Sequence, residues 1–250
     1  DRAAGVEYLQ RGRTCTARAA REVLLCGGTI NSPQLLMLSG IGDPDELSAH
    51  GIAVKAPLKG VGKNLQDHLS VGVEYRRCGA GPFVKNMRLD RIALELGRAY
   101  FLGTGFATDL PSGFMAFLRS GPNAALADIQ LLFRAVPPGG GPYLPPFKPA
   151  FADGFACRAV LLRPESRGAV ELSSADPAAP ARIRQNMLAT EGDWRTIRAG
   201  VRLVQELGRE PPLARFIAAE LGPGTAARSD SGLDAYIRQA AATAHHPLGT

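Results

Sequence analysis

Gly27-Gly28-Thr29-Ile30-Asn31-Ser32-Pro33-Gln34-Leu35-Leu36-Met37-Leu38-Ser39-Gly40-Ile41-Gly42 is the stretch on which the reading of this 250-residue chain turns. It comes after Glu22-Val23-Leu24-Leu25-Cys26, an apolar run of the buried-strand kind that the two glycines stop. Ser32-Pro33 then has the form of a helix start. A hydroxyl can cap free amides, and a proline in the first turn gives up an N–H that has no helical partner there. Leu35, Leu36 and Leu38 supply an apolar face and Gly40 a stop. A strand running through glycines into a helix lets backbone approach a ligand closely and offers anions such as pyrophosphate a helix N-terminus. The same spacing also serves tight strand–helix packing, so on spacing alone both readings stand.

Upstream, residues 6–9 and 14–19 flank Arg11-Gly12-Arg13 and predict a hairpin. Downstream, Asp43-Pro44-Asp45-Glu46 has a capping-box pattern and predicts a short helix ending at Gly51, with a strand at 52–54. From Val71 the texture changes. Ile92, Leu94, Leu96 and Tyr100 give residues 88–101 helical spacing, and strands are predicted at 114–118, 128–133 and 155–162. Six prolines and three consecutive glycines make 136–149 a surface-type loop. The turn Arg163-Pro164-Glu165-Ser166-Arg167-Gly168 leads into strands at 169–172 and 181–184, and helices are predicted at 193–207, 213–221 and 231–241. The predicted class is mixed α/β (α+β): a Rossmann-like strand–glycine–helix unit, then an antiparallel sheet with flanking helices.

Composition removes several alternatives. A hydrophobic fraction of 45% and a charged fraction of 21% are those of a globular chain, not a disordered one. Glycine and proline, at 29 and 19 residues, exceed their usual joint share of about 12%. Turns and loops, rather than a helix bundle, are the consequence of that excess. The net charge is +6, yet only five of the 29 basic residues are lysine and no basic run exceeds two residues. This does not make a nucleic-acid groove, and no nucleic-acid partner is expected. The four cysteines form no CxxC pair, so neither a metal site nor a disulfide framework is expected. No stretch approaches the ~20 apolar residues of a membrane span, and no signal peptide is recognisable. The default expectation is a cytoplasmic, reducing compartment, with membrane association left open.

The stretch from Gly28 to Gly42 resembles the second signature of the glucose–methanol–choline (GMC) family of flavoprotein oxidoreductases at every fixed position. These positions are Gly-Thr, two free residues, Ser-Pro, one free residue, Leu-Leu, two free residues, then Ser-Gly-Ile-Gly. Three further matches come in family order. Gly60-Val61-Gly62-Lys63-Asn64-Leu65-Gln66-Asp67-His68 resembles the VGxNLQDH element. Arg163 to Gly168 with Leu172-Ser173-Ser174-Ala175-Asp176-Pro177 resembles the hairpin of the substrate domain. His246-Pro247-Leu248-Gly249-Thr250 resembles the start of the HPxGT active-site segment.

The resemblance implies an FAD-dependent oxidoreductase that oxidises a small-molecule alcohol by hydride transfer to the flavin. It makes His246 the expected catalytic residue, facing the flavin and accepting the hydroxyl proton, a role that suits imidazole with its ordinary pKa near 6.5. It makes Gly27, Gly28, Thr29, Asn31, Ser32, Pro33, Asn64, His246 and Pro247 the expected FAD-binding residues. It also implies that residues 1–70 are part of the FAD-binding domain, 71–228 the substrate domain, and 229–250 the return to the FAD domain.

Other histidines read differently. His245 is taken as a substitution beside His246, His68 as either a hydrogen-bonded loop histidine or a chemical participant, and His50 as a structural cation at a helix end. Choline-type members of the family tend to carry histidine near Phe133-Arg134. An arginine there disfavours a quaternary ammonium and suits an anionic alcohol, unless Arg134 is simply solvated or ion-paired. With aromatics at 6% and Trp194 the single tryptophan, little material exists for an aromatic cation cage.

The family's first element, a βαβ unit with GxGxxG, has no counterpart in these residues, and the second catalytic histidine or asparagine of the family lies beyond Thr250. The chain is therefore expected to be the central part of a larger enzyme that binds FAD poorly by itself. Two rival readings stay open: a lyase of the same family, which bound-flavin reduction by an alcohol distinguishes, and a non-catalytic remnant. Neither the alcohol nor the electron acceptor, oxygen or a quinone-type carrier, is legible.

Overall fold

A computed structural model of the chain describes residues 2–108, 113–137 and 139–250. Packing divides it into two units, each discontinuous in sequence. The first comprises the chain up to Gln66 with Arg167–Met187 and Pro247–Thr250, and the second Asp67–Ser166 with Leu188–His246. The sequence predicts one unbroken stretch, 71–228, for the substrate domain, whereas packing groups 167–187 with the first unit.

The first unit opens with the predicted hairpin, Gly5–Gln10 antiparallel to Arg13–Arg18. Arg11 and Gly12 both take positive φ, 51° and 77°, the left-handed two-residue turn whose twist matches that of the strands. The predicted strand at 22–26 is corrected: these residues are irregular and Leu24 is 74% exposed. No described strand pairs with the run, and an apolar extended segment needs a ladder to join.

The signature helix is Gly28–Leu38, which starts one turn before the predicted Ser32-Pro33. Ser32 still caps, but from inside the helix, its Oγ accepting the Gly27 N–H at 3.1 Å, and Pro33 consequently sits in the second turn and not the first. Gly28, at φ 73°, adopts a backbone conformation that other residues reach only with strain. Asp43 caps Pro44–Ala49 as predicted, accepting the Asp45 N–H at 3.0 Å, and His50 is that helix's C-cap.

The predicted strand at 52–54 is displaced to Ala56–Pro57, which runs parallel to Ile41–Gly42. Lys55 and Ala56 both donate to the Gly40 carbonyl, so the ladder begins only there, while Ile52 packs on the Met37, Leu47 and Leu172 cluster. A three-stranded antiparallel sheet completes the unit, with Gly168–Glu171 between Lys63–Leu65 and Arg182–Arg184. Gly62 precedes it at φ 75°, where a Cβ would collide with the Val170 carbonyl.

The second unit is built on an antiparallel sheet in the spatial order Ile217–Gly222, Leu69–Arg77, Gly154–Leu161, Ile129–Arg134, Phe114–Leu118, with Ala242–Thr243 also paired to Leu69–Arg77. Val71, Val73 and Tyr75 alternate inward along their strand, the period-2 signature of a half-buried sheet. Helix Glu191–Arg209, capped by Thr190, lays Ile197, Val201 and Val204 on this sheet, all fully buried. Gly200 permits the approach: a Cβ there would stand 2.9 Å from Ile129 Cδ1 and 3.1 Å from Ala159 Cβ.

Strands predicted at 114–118, 128–133 and 155–162 appear at Phe114–Leu118, Ile129–Arg134 and Gly154–Leu161. Helices predicted at 88–101, 193–207 and 231–241 appear as Leu89–Leu102, Glu191–Arg209 and Asp230–Ala240.

The predicted helix at 213–221 is corrected. Only Pro211–Ala214 is helical, and Ile217–Gly222 is the edge strand against Leu69–Arg77, a long-range ladder that overrides the helix propensity of Ala218-Ala219-Glu220-Leu221. The loop at 136–149 is not wholly superficial either. Val136 and Tyr143 are buried, and Tyr143 exchanges backbone hydrogen bonds with Met87 and Leu89 at 3.1 and 3.0 Å; Pro138, within that predicted loop, lies outside the described residues.

Behind the Arg163–Arg167 turn stands Asp193, 1% exposed. Its carboxylate accepts the N–H groups of Glu165 and Ser166, at 2.7 and 3.0 Å, and the Ser166 hydroxyl. A buried carboxylate needs such donors to offset its desolvation.

Candidate active site

The two elements that carry the histidines, 64–68 and 243–250, run antiparallel within each unit. In the first unit Gln66 and Leu248 exchange backbone hydrogen bonds, both 2.9 Å. Asn64 takes positive φ (66°) and spans outward: its Nδ2 donates to the Gly249 carbonyl at 3.1 Å and its Oδ1 accepts from Arg167 Nε at 2.9 Å. Thr29 at the start of the signature helix donates its hydroxyl to the Pro247 carbonyl at 2.9 Å, and its own carbonyl accepts the Thr250 hydroxyl. Thus Thr29, Asn64 and Pro247 of the expected flavin contacts are brought together. Asn64 and Thr29 spend side-chain capacity on holding the segment.

Gly27, Gly28 and Asn31 lie exposed along the helix start. The first-turn amides of a helix have no intrahelical acceptor, and here Ser32 satisfies only the Gly27 N–H. An exposed set of backbone N–H donors, without a side chain at Gly28, fits the anionic and carbonyl oxygens of a flavin dinucleotide.

In the second unit the Ala242–Thr243 strand ends beside Leu69–Ser70, with Ser70 Oγ donating to the Ala242 carbonyl at 3.1 Å. Asp67, 7% exposed, organises the residues between this strand and His246. Its Oδ1 accepts the backbone N–H of His246 at 2.9 Å, and its Oδ2 accepts the Thr243 hydroxyl. Thr243 Oγ1 in turn accepts the His245 N–H at 2.8 Å, and Ala244 N–H donates to the His68 carbonyl at 2.8 Å. His245 takes positive φ, 62°, so it serves as a bend.

The His246 ring is exposed, and its Nδ1 lies 3.4 Å from His68 Nδ1, the rings meeting edge to face with centroids 5.5 Å apart. Burial first, and then the facing His246, lower the pKa of His68 below its ordinary value, against an upward pull from Asp67 and from a backbone hydrogen bond with Leu162.

From the sequence, His246 is the expected catalytic residue and His68 has two readings, whereas Asp67, Thr243 and Thr250 carry no expected role of their own. The partners of Asp67 lie 176 and 179 positions away, so no local signal identifies it as the holder of His246.

Arg134 is exposed at the last position of its strand. Trp194 donates Nε1–H to the Leu188 carbonyl at 2.9 Å and is faced by the guanidinium groups of Arg198 and Arg238, 5.4 and 4.7 Å from its ring centre. Tyr75, buried against Phe155, donates its hydroxyl to the Val204 carbonyl at 3.0 Å. These rings are committed to packing.

Residues 1–70 and 164–250 each match the GMC oxidoreductase family. The oxygen-dependent choline dehydrogenase of Chromohalobacter salexigens is 38% identical over the whole chain, which covers 44% of that protein. The mitochondrial choline dehydrogenase of Homo sapiens is likewise 38% identical over the whole chain, covering 41% of it. Among solved structures, pyridoxine 4-oxidase from Mesorbium loti superposes with a TM-score of 0.79 at 27% identity, over all of this chain and 44% of that one. The chain thus spans less than half the length of these relatives.

Proposed function

This chain belongs to the GMC oxidoreductase family, and on that basis we propose that it forms part of an FAD-dependent enzyme that oxidises the CH–OH group of a small alcohol, with His246 as proton acceptor. The relatives' names put choline first among the alcohols to assay. The observation that carries the reading is the exposed His246 imidazole, whose backbone is held by the buried Asp67 and whose Nδ1 faces His68. With Nδ1 turned to a neutral His68, Nε2 is the nitrogen left to meet a substrate hydroxyl.

Gly27, Gly28, Thr29, Asn31 and Ser32 would hold the cofactor along the helix start, with Asn64 and Pro247 fixing the neighbouring backbone; Pro33, expected from the sequence among these contacts, is buried within the helix and has no N–H to offer. When bound, FAD supplies the acceptor for the hydride that leaves the carbinol carbon. The chain's own part is the proton. His246 with hydrogen on Nδ1 keeps Nε2 free as a base, and the His68 lone pair accepts that Nδ1–H. The lowered pKa of His68 suits this, because only a neutral ring can accept. As the alcohol becomes a carbonyl compound its hydroxyl proton moves to Nε2, and the resulting imidazolium is steadied by His68 through Nδ1.

The test is His246→Ala in the product of the longest natural open reading frame containing this chain, loaded with FAD. The expected result is a fall in kcat of about 10²- to 10⁴-fold with the flavin spectrum retained. Near-normal turnover overturns the assignment. Anaerobic bleaching of the bound flavin by choline or another alcohol separates oxidation from lyase chemistry: an alcohol-reduced flavin supports the reading, and a flavin that no alcohol reduces refutes it.

A further inference from the structure

We infer that Pro33 is a positioning residue for the segment immediately after His246, acting through the amide hydrogen it lacks. In an α-helix the N–H of each residue bonds the carbonyl four residues earlier, so position 33 is the ordinary donor to Thr29. Pro33 lies in the second turn of Gly28–Leu38, buried, beyond the first turn where proline is tolerated without loss. A proline there removes one helical hydrogen bond and leaves the Thr29 carbonyl without its usual partner. That carbonyl instead accepts the Thr250 hydroxyl.

Thr29 is thereby connected twice to one tetrapeptide, its carbonyl to Thr250 at the far end and its hydroxyl to the Pro247 carbonyl, 2.9 Å away, at the near end. The opposite edge of Pro247–Thr250 is taken by Gln66, paired with Leu248, and by Asn64, which donates to Gly249. All of these contacts lie within the first unit. An amide at position 33 would compete for the Thr29 carbonyl and release Thr250. Ser-Pro in the signature and the threonine that ends this chain, more than two hundred residues apart, are thus two halves of one hydrogen-bond exchange. The consequence for turnover rests on the reading of His246, the covalent neighbour of Pro247, as proton acceptor.

Amide hydrogen exchange on the 250-residue chain tests the anchor without any turnover. Pro33→Ala supplies the missing N–H, and Pro33→Val supplies it while keeping more of the buried volume. In either, the new amide at 33 becomes protected and the Leu248 amide exchanges about tenfold faster, the effect of losing one hydrogen bond of ordinary strength. Thr250→Val produces the same acceleration, Thr250→Ser restores the parental rate, and Pro33→Ala with Thr250→Val is no faster than either alone, because both remove one interaction.

A parental Leu248 rate in a folded Pro33 variant overturns the proposal, as do effects that multiply in the double variant. Failure of both Pro33 variants to fold assigns the proline to packing and overturns it equally. In the FAD-loaded enzyme, Pro33→Ala lowers kcat with the flavin spectrum unchanged, and Thr250→Ser retains parental kcat. Faster exchange with unchanged kcat leaves the anchor standing and counts against His246 instead.

Discussion

The two units are held together by different means. In the first, few apolar side chains are deeply buried, among them Met37, Leu47, Leu65, Val170 and Leu172, and much of the form comes from backbone: left-handed residues at Arg11, Gly12, Gly28, Gly40, Gly51, Gly62 and Asn64, and caps at Ser32 and Asp43. In the second, Val71, Val73, Ile129, Val160, Ile197, Val201, Leu233 and Ile237 form an interior between one sheet and its helices. The first unit holds nearly all of the family signature, the second most of the deep core. A motif of glycines, threonine and proline specifies backbone conformation and hydrogen bonds at one place, whereas a core needs only apolar residues at the right period and so leaves a looser trace.

That contrast is open to experiment. Ile197→Ala should cost most: it removes a fully buried side chain at the helix–sheet contact, with a loss of about 2 to 5 kcal/mol in denaturant unfolding of the 250-residue chain. A loss below about 1 kcal/mol, less than ordinary core truncations show, would mean that the second unit's interior is not what stabilises it.

Next is Gly62→Ala in the first unit, where φ is 75° and the added Cβ meets the Val170 carbonyl. Strain of about 1 to 3 kcal/mol is expected, and an unchanged midpoint would refute the view that backbone conformation holds this unit.

A weaker effect concerns pH. His68 has a folded pKa below its unfolded value of 6.5, so its contribution is complete above that pH and declines as pH falls through the folded value. Because His68 is only partly buried, the slope is shallow. His68→Gln should flatten the acid side of the stability curve, and an identical pH profile would show that burial of His68 is not coupled to folding.

The candidate site was partly legible. Four ordered motifs located His246, Asn64 and the Gly27–Pro33 turn, because each motif is a local string whose residue types have local uses. Asp67, Thr243 and Thr250 were not legible as holders of the segment. Their hydrogen bonds join residues some 180 to 220 positions apart, and nothing local says which distant amide a carboxylate or hydroxyl will meet.

Local sequence suffices for the Arg11-Gly12 turn, the Asp43 cap, the alternating strands and the helix that carries Ile197. Each is decided by steric preference or apolar period within a few residues. Tertiary packing settles that 22–26 stays irregular, that Ile217–Gly222 is a strand, and that the signature helix starts at Gly28 with Pro33 inside it. One physical reason is common to all three. A strand exists only where another edge offers a ladder, and a proline inside a helix forfeits a hydrogen bond that contacts made elsewhere in the chain must offset. Both conditions are set by parts of the chain that local propensity does not see.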